Sequence, residues 1–375
     1  MADIRGGTGA DYLEGTADAD TITGNGGNDT VRGLAGNDTI TTTAGNDVID
    51  GGTGNDSMTG GAGNDSYYVD SLGDTIVEAV GGGTDIVGAS ANYKLNAGAE
   101  VETLVYAATP ANQAGTVALA AAVSTSTAGT VLIGNEFQQT VYGTAGNDVL
   151  DGGRNSNPVL SDQLVGGAGN DTYSIRNVSD VIVEGAGAGT DIAYVSASDL
   201  QAQGQAVATY ALTAGAEVEA LSASSQSGTE AMFLTGNAFA QQVIGNAGSN
   251  TLVGGANGGA AGDTLVGLGG DDTYRVIANA VATSNDTIQE TAGNGNDTLQ
   301  FLGGGAATYT LAADVSVETI NLAGGSVTSV IGNNLGQVIN GDTVAANATA
   351  ETLNGGGGVD TLVGTVKQER DASLQ

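Results

Sequence analysis

The feature that most constrains this chain is a nine-residue period near its N-terminus, built from turns of the form G-x-x-G-N-D followed by a short apolar stretch. The aspartates in this register are Asp11, Asp20, Asp29, Asp38, Asp47, Asp56 and Asp65. Two places after each aspartate stands a large apolar residue, namely Leu13, Ile22, Val31, Ile40, Ile49, Met58 and Tyr67. Glycine tolerates positive φ, asparagine and aspartate favour turns, and the last three residues of each unit suit a strand with its middle side chain buried.

A turn and a short strand repeated in this way wind the chain into a coil with two strands per full turn. We therefore predict an all-β protein, a parallel β-roll or β-solenoid built from glycine- and aspartate-rich nonapeptides, with little or no helix. Equivalent turns stack at a separation of 18 residues, which brings the aspartates together in pairs. The five predicted pairs are Asp11 with Asp29, Asp29 with Asp47, Asp47 with Asp65, Asp20 with Asp38, and Asp38 with Asp56.

The charge of the chain points to metal cations as partners. Its 42 acidic and 8 basic residues give a net charge of −34, so stacked carboxylates would repel each other unless a cation lay between them. Calcium accepts six to eight oxygen ligands in flexible geometry, whereas magnesium demands a tight octahedron. Sodium and other weak cations stay open on charge alone. Nucleic acid is not expected as a partner, since its binding relies on lysine and arginine.

Several other function classes are disfavoured. The chain has no cysteine and no histidine, which removes thiol chemistry and the commonest catalytic base. Asp74 and Glu78 could form a glycosidase pair, but their spacing reads better as further turns of the coil. Tyr67, Tyr173 and Tyr274 could stack on a sugar, but an aromatic filling a thin core is the stronger reading. We expect no enzyme activity, no catalytic residues and no organic cofactor, and we expect no catalytic domain before the first repeat at Gly6.

The repeat G-G-x-G-x-D-x-U-x resembles the RTX, or haemolysin-type, calcium-binding nonapeptide. The resemblance implies a parallel β-roll with calcium between the turns of adjacent coils, held by the seven aspartates and by backbone carbonyls at the first and third positions of each turn. Those positions are Gly6, Thr8, Gly15, Ala17, Gly24, Gly26, Gly33, Ala35, Thr42, Ala44, Gly51, Thr53, Gly60 and Ala62. One ion per stacked pair gives about five calcium ions in this array. Two turns depart from the pattern, with Asp18 in place of a glycine and Thr42-Thr43 in place of a glycine pair.

A longer repeat of roughly a hundred residues overlies the short one. The segments "GDTIVEAVGGGTDIV", "SDVIVEGAGAGTDIA" and "NDTIQETAGNGNDTL" align without gaps, and each repeat closes with new nonapeptide-like turns. The resemblance extends the expected metal ligands to Asp74, Asp85, Asp148, Asp162, Asp171, Asp180, Asp191, Asp263, Asp272, Asp286, Asp297 and Asp360. Where Gln139, Gln241 and Gln337 occupy the aspartate position, we expect amide hydrogen bonds in place of metal.

The repeats divide the chain into alternating segments. The predicted boundaries are a calcium-binding roll at 6–92, an inter-array segment at 93–142, a degenerate array at 143–209, an inter-array segment at 210–244, a degenerate array at 245–308, an inter-array segment at 309–340, terminal turns at 341–364 and a tail at 365–375. The resemblance suggests that the tail is a type I secretion signal. No Sec-type signal peptide is visible, and no stretch approaches the ~20 apolar residues of a membrane span.

Two functions are consistent with these features. The first is a secreted structural protein that folds on calcium and self-assembles, head to tail or in a lattice, into a cell-surface layer, filament or extracellular matrix. Its location would be extracellular, at the cell surface, after type I secretion. The alternative is a secreted, calcium-dependent module that binds or adheres to cell-surface polysaccharide.

Overall fold

The computed structural model describes residues 1–107, 124–155, 157, 159–255, 262–278, 286–304, 308–322, 329–341 and 352–364. It divides into two units, Met1–Asp191 and Ile192–Gln375. Each unit is a parallel β-solenoid, and every strand pair described is parallel. The expected secretion signal at 365–375 lies outside the described residues, and the segment boundaries drawn above remain predictions.

In the first unit, strands alternate between sheets, so that each strand pairs with the next but one along the chain. One sheet runs in the order β1-β3-β5-β7-β9 and a second contains the even strands from β2 to β18, while β11, β13, β15 and β17 pair in turn. The strands are β1 Asp3–Arg5, β2 Tyr12–Glu14, β3 Thr21–Gly26, β4 Thr30–Arg32, β5 Thr39–Ala44, β6 Val48–Asp50, β7 Ser57–Thr59, β8 Ser66–Val69, β9 Thr75–Val77, β10 Ile86–Ala89, β11 Tyr93–Lys94, β12 Thr103–Tyr106, β13 Val131–Ile133, β14 Thr140–Tyr142, β15 Val149–Asp151, β16 Gln163–Val165, β17 Thr172–Ile175 and β18 Val181–Val183.

The second unit follows the same alternation. Strands β19, β21, β23, β25 and β27 pair in that order, the even strands from β20 to β34 form another sheet, and β29, β31 and β33 form a third. The elements are β19 Ile192–Val195, α1 Ala197–Ala202, β20 Ala208–Ala211, β21 Ala220–Ala223, β22 Met232–Thr235, β23 Gln242–Ile244, β24 Asn250–Val253, β25 Thr264–Val266, β26 Thr273–Ala278, β27 Thr287–Gln289, β28 Thr298–Gly304, β29 Thr308–Thr310, β30 Thr319–Asn321, β31 Ser329–Ile331, β32 Val338–Asn340, β33 Thr352–Asn354 and β34 Thr361–Val363.

The core is a single layer of side chains between sheets. The middle residue of each short strand is buried and stacks on its equivalent one coil away, as when Val31 pairs with Ile49 and Ile49 with Tyr67. Such a narrow core needs little apolar material per coil, which is consistent with short strands of the form T-V-R and S-M-T. The predicted all-β roll with little helix is confirmed. The helix α1 is six residues long, and no described helix is long and apolar enough to span a membrane.

The turns depend on glycine at the fourth position of the unit. Gly36, Gly45, Gly54 and Gly63 have φ between +121° and +146°, a region that side-chain-bearing residues rarely adopt. A Cβ at Gly36 would lie 2.6 Å from the backbone of the preceding coil. Successive turns therefore pack backbone on backbone, which places their aspartates directly above one another.

Candidate metal centres

The aspartates of adjacent coils are joined by backbone hydrogen bonds. The N–H of each aspartate donates to Oδ1 of the aspartate one coil later, for example from Asp29 to Asp47 at 2.7 Å and from Asp38 to Asp56 at 2.8 Å. All five predicted pairs are brought together in this way. The stacked aspartates form two columns, which continue from Asp56 to Asp74 and, after a coil of 20 residues, from Asp65 to Asp85.

The later arrays form equivalent columns despite their longer coils. Insertions stretch the spacing between stacked aspartates to 23 or 25 residues in places, without breaking the contact. The contacts join Asp148 to Asp171, Asp162 to Asp180, Asp171 to Asp191, Asp263 to Asp286, Asp272 to Asp297, and Gln337 to Asp360. Insertions are therefore absorbed in the turns.

Oδ1 of these aspartates accepts the backbone N–H from the preceding coil, whereas the other carboxylate oxygen, Oδ2, is in many cases buried without a hydrogen-bond partner. These unpaired Oδ2 atoms belong to Asp29, Asp38, Asp47, Asp56, Asp65, Asp162, Asp171, Asp272 and Asp360. A buried carboxylate oxygen without a donor or a cation is costly, because it has lost its water and gained nothing in return. These unpaired oxygens recur regularly along the columns, which makes them candidate ligands for bound cations.

The first-position glycines face the Oδ2 atoms of the stacked aspartates, whether or not those atoms are hydrogen-bonded. A Cβ at Gly143 would lie 2.5 Å from Asp148 Oδ2 and 2.6 Å from the carbonyl oxygen of Gly166, which is the first-position residue of the next coil. In the first array, a Cβ at Gly33 would contact Asp38 Oδ2 and the Gly51 carbonyl. A carboxylate oxygen and a first-position carbonyl therefore converge beside each such glycine.

The third-position carbonyls have a different environment. Those of Ala44, Thr53 and Ala62 accept the N–H of Gly27, Gly36 and Gly45 in the preceding coil, at 2.8 to 2.9 Å. A carbonyl oxygen has two lone pairs, so one remains for a cation. The assignment of third-position carbonyls as ligands stays a prediction, as does that of the first-position carbonyls and of the aspartates as a set.

In some of the predicted ligands, Oδ2 accepts hydrogen bonds. Oδ2 of Asp74 accepts the N–H groups of Asp70 and Ser71, and Oδ2 of Asp180 accepts those of Arg176 and Asn177. Oδ2 of Asp11, Asp20 and Asp148 accepts an N–H from its own turn. These carboxylates cap the ends of the columns, and a cation there would have to compete with existing hydrogen bonds.

The irregular turn at Thr42 also differs from its neighbours. The Thr42 hydroxyl donates to the Gly60 carbonyl at 2.7 Å, and its methyl group lies where a Cβ at Gly24 would point. The side chain thus occupies the place that the other turns leave beside the aspartate. The replacement of a glycine pair by Thr42-Thr43 therefore fills space that is left open in the regular turns.

A second ladder runs along the fifth position of the turns, and the sequence pattern alone did not reveal it. The N–H of Asn46 donates to Asn28 Oδ1 and that of Asn64 to Asn46 Oδ1, both at 2.9 Å. The donor here belongs to the later coil, which is the reverse of the aspartate ladder. The asparagine that precedes aspartate in G-N-D therefore fixes the stacking of coils at the exposed edge.

Burial raises the pKa of several buried aspartates in these stacks. The pKa of Asp56 and of Asp65 rises to about 7, and that of Asp162 to about 8, mainly because burial disfavours the charged form and additionally because neighbouring carboxylates repel. Bringing such groups to full ionisation at neutral pH requires a compensating positive charge.

Three groups of carboxylates are denser than the rest, among the residues described. Each contains two column aspartates and a glutamate whose carboxylate oxygens lie within 4.8 Å of one another, and all members are buried. The groups are Asp65 with Glu78 and Asp85, Asp171 with Glu184 and Asp191, and Asp272 with Glu290 and Asp297. Glu78, Glu184 and Glu290 are not among the metal ligands predicted from the sequence.

The glutamine positions behave as predicted. The Gln139 side chain donates to Asn135 Oδ1 at 2.8 Å and accepts the Asn135 N–H at 3.1 Å. The Asn135 amide in turn donates to the carbonyls of Asn96 and Ala99. Gln241 with Asn237 and Gln337 with Asn333 repeat this arrangement. A closed amide network therefore replaces the carboxylate at one turn of each long repeat.

The donor set fits a hard cation. It consists only of carboxylate and carbonyl oxygens, with no histidine or cysteine in the chain, and calcium prefers oxygen ligands in flexible numbers. A family profile described as the RTX calcium-binding nonapeptide repeat matches residues 5–40, 32–67, 41–76, 133–157, 161–174, 235–257 and 340–365. The chain carries RTX calcium-binding nonapeptide repeats. Among curated proteins, no match was found.

The RTX assignment accounts for the periodicity, the parallel roll and the carboxylate columns together. It supports calcium as the partner of this chain. The number of ions remains a prediction, as does the absence of enzyme activity.

Proposed function

We propose that this RTX chain is a secreted, calcium-binding structural protein that folds when calcium fills its carboxylate columns and then self-assembles into a cell-surface layer, filament or matrix. The observation that carries the proposal is the row of buried, unpaired Oδ2 atoms from Asp29 to Asp65. A chain that buries carboxylates at every coil depends on a cation for its folded state.

Calcium would act on folding through ligands that meet only when coils stack. Asp29 and Asp47 lie 18 residues apart, and they come into contact only in the rolled chain. Binding free energy then becomes folding free energy, as in other metal-dependent domains. In a compartment poor in calcium the chain would stay unfolded and ready for export, and the exterior would fold it.

We include self-assembly because the backbone hydrogen bonds and stacked aspartates that join one coil to the next within a chain can also join coils of two chains. The test is a calcium titration from chelator to about 10 mM, the range of weak extracellular sites. Circular dichroism would follow folding, while light scattering and negative-stain microscopy would follow assembly. We expect a coil-to-β transition followed by growth of ordered sheets or filaments.

Two results would contradict this proposal. A stable β spectrum in chelator would remove the calcium-dependent folding step. A monodisperse monomer at high calcium and high protein concentration would remove self-assembly, while leaving calcium binding intact.

Polysaccharide binding is a second candidate, supported by one groove of about 250 Å³ in the first unit. Lys94, Arg154 and Arg176 line it, which gathers three of the eight basic residues of the chain in one place. Glu136 and Asp151 line it too, and Asp151 accepts from Arg176 at 2.8 Å. The mixture of charges suits an acidic sugar that also carries hydroxyl groups.

The groove can be tested by titrating a polyuronate oligosaccharide into the calcium-loaded chain and measuring heat. We expect Lys94→Ala to weaken binding, whereas Arg5→Ala, an exposed cation away from the groove lining, should leave it unchanged. Equal binding by both variants would exclude the groove as the site.

A further inference from the structure

The three dense carboxylate groups differ from the rest of the columns in having a third carboxylate. An ordinary pair of stacked turns presents two aspartates, whereas Asp65 and Asp85 are joined by Glu78, and all three are at most 4% exposed. The same arrangement recurs at Glu184 and at Glu290, once in each long repeat. Its recurrence in three places shows that it is a feature of the repeat.

An unpaired oxygen is directed into each group. Oδ2 atoms of Asp65, Asp171 and Asp272 are buried and lack any hydrogen-bond partner. A glycine lies beside each of them. A Cβ at Gly166 would contact the Tyr173 hydroxyl and Asp171 Oδ2 and would lie 2.6 Å from Glu184 Oε2, and one at Gly267 would contact the Tyr274 hydroxyl and lie 2.8 Å from Glu290 Oε2. The absence of a side chain at the glycine therefore lets the aspartate oxygen, the glutamate oxygen and a tyrosine hydroxyl converge.

A tyrosine fixes the orientation of each glutamate. The hydroxyl groups of Tyr67, Tyr173 and Tyr274 donate to Oε2 of Glu78, Glu184 and Glu290, respectively. The other oxygen accepts the N–H of the residue that follows the glutamate, at 2.9 to 3.2 Å. The tyrosines were predicted to fill the core, and they also hold the third carboxylate in place.

We propose that these three Asp–Glu–Asp groups, each held by a tyrosine, are the tightest cation sites of the chain and fill before the nonapeptide sites. Calcium affinity rises with the charge of the ligand set and with its rigidity, and both are greater here than in a two-aspartate turn. One early site per long repeat would close each array at the coil where its regular turns end. The proposal rests on the calcium binding of the chain, and the test below separates the two.

The tyrosine supplies a built-in reporter. Terbium, a hard cation that takes calcium sites, luminesces when a nearby tyrosine is excited, and the chain has no tryptophan to interfere. Titrating terbium into the full chain under tyrosine excitation should give a first luminescent phase of about three ions per chain, one for each group. Circular dichroism on the same samples would follow folding.

The decisive variant is the triple substitution Glu78→Gln, Glu184→Gln and Glu290→Gln. We expect it to weaken the first phase by about tenfold or more, the range seen when groups that support a metal site are removed. The matched control is Glu14→Gln, because Glu14 also accepts from a tyrosine, Tyr12, at 2.8 Å, but on the surface and outside every acidic group. The control should bind terbium like the unmodified chain.

A second triple variant separates a loss of binding from a failure to fold. Tyr67→Phe, Tyr173→Phe and Tyr274→Phe keep all carboxylates and lose only the hydroxyls, so calorimetry should show about tenfold weaker binding in the first phase with folding preserved at saturating calcium. An unchanged first phase in both triple variants would overturn the proposal while leaving calcium-dependent folding intact. An unmodified chain that does not fold with calcium would instead overturn the proposed function.

Discussion

The glycine at the first position of each turn has a role beyond backbone freedom. Its missing side chain leaves the space in which an aspartate oxygen and the carbonyl of the next coil converge, as Gly33 does for Asp38 and Gly51. Positive φ is not required of Gly33, so propensity for turns does not explain its presence. The residue is small because something must fit beside it.

This argument predicts the effect of Gly33→Ala. The new methyl group would contact the unpaired Asp38 Oδ2 and the Gly51 carbonyl, so the site should lose calcium affinity and the unfolding free energy in calcium should fall by about 1–3 kcal/mol. Calorimetric calcium titration and thermal unfolding would measure both. Gly9→Ala is the control, since nothing lies within 4 Å of a Cβ there, and equal effects of the two substitutions would contradict this explanation.

At the scale of a single coil, the chain uses two interchangeable ways to join neighbouring turns. Most coils stack through aspartates that leave an oxygen for a cation, whereas the Gln139 coil closes its turn with a complete amide network. The network includes the carbonyls of Asn96 and Ala99, which no metal needs to satisfy. Coils of this second kind should hold their structure independently of calcium.

Replacement of Gln139 tests this distinction. Gln139→Ala removes the partner of the buried Asn135 N–H and one of the two donors to Asn135 Oδ1, and should cost about 1–3 kcal/mol of unfolding free energy. The number of calcium ions bound should stay the same. Thermal unfolding in saturating calcium, with Gln138→Ala at the exposed neighbouring position as control, measures the cost. A loss of bound calcium in the Gln139 variant would refute the assignment of this coil as metal-independent.

At the scale of the whole molecule, protons and calcium compete for the same charges. The net charge is −34, and burial raises the pKa of Asp56, Asp65 and Asp171 from the ordinary 3.8 to about 7. A carboxylate whose pKa is raised on folding favours the folded state when it is protonated. That contribution is fully present below pH 3.8 and is lost as the pH rises through about 7.

The calcium-free chain should therefore gain structure on acidification. In chelator, we expect more β signal at pH 5 than at pH 8, and in saturating calcium we expect the difference to shrink because the cation replaces the protons. Circular dichroism at the two pH values, with and without calcium, measures the effect. A calcium-free chain that is better folded at pH 8 than at pH 5 would contradict the sign of these shifts.

Much of this arrangement follows from sequence, because strict spacing leaves few ways to stack. The step of nine residues fixed the pairing of Asp29 with Asp47, and the glutamines in the aspartate position predicted the amide networks. The role of Glu78 did not follow, since it lies 13 residues after Asp65 and therefore outside the nine-residue register. The asparagine ladder was hidden for another reason, because asparagine before aspartate is equally expected of an ordinary turn.

The alternation of strands between sheets has a genetic consequence. Since each strand pairs with the next but one, a deletion or duplication of two whole units, such as residues 24–41, returns every later strand to its own sheet and every aspartate to its own column. Gain or loss of a single unit would instead move every later strand to the other sheet and every later aspartate to the other column. Gain or loss of repeat units in pairs can therefore lengthen or shorten the roll without requiring a new kind of contact between coils.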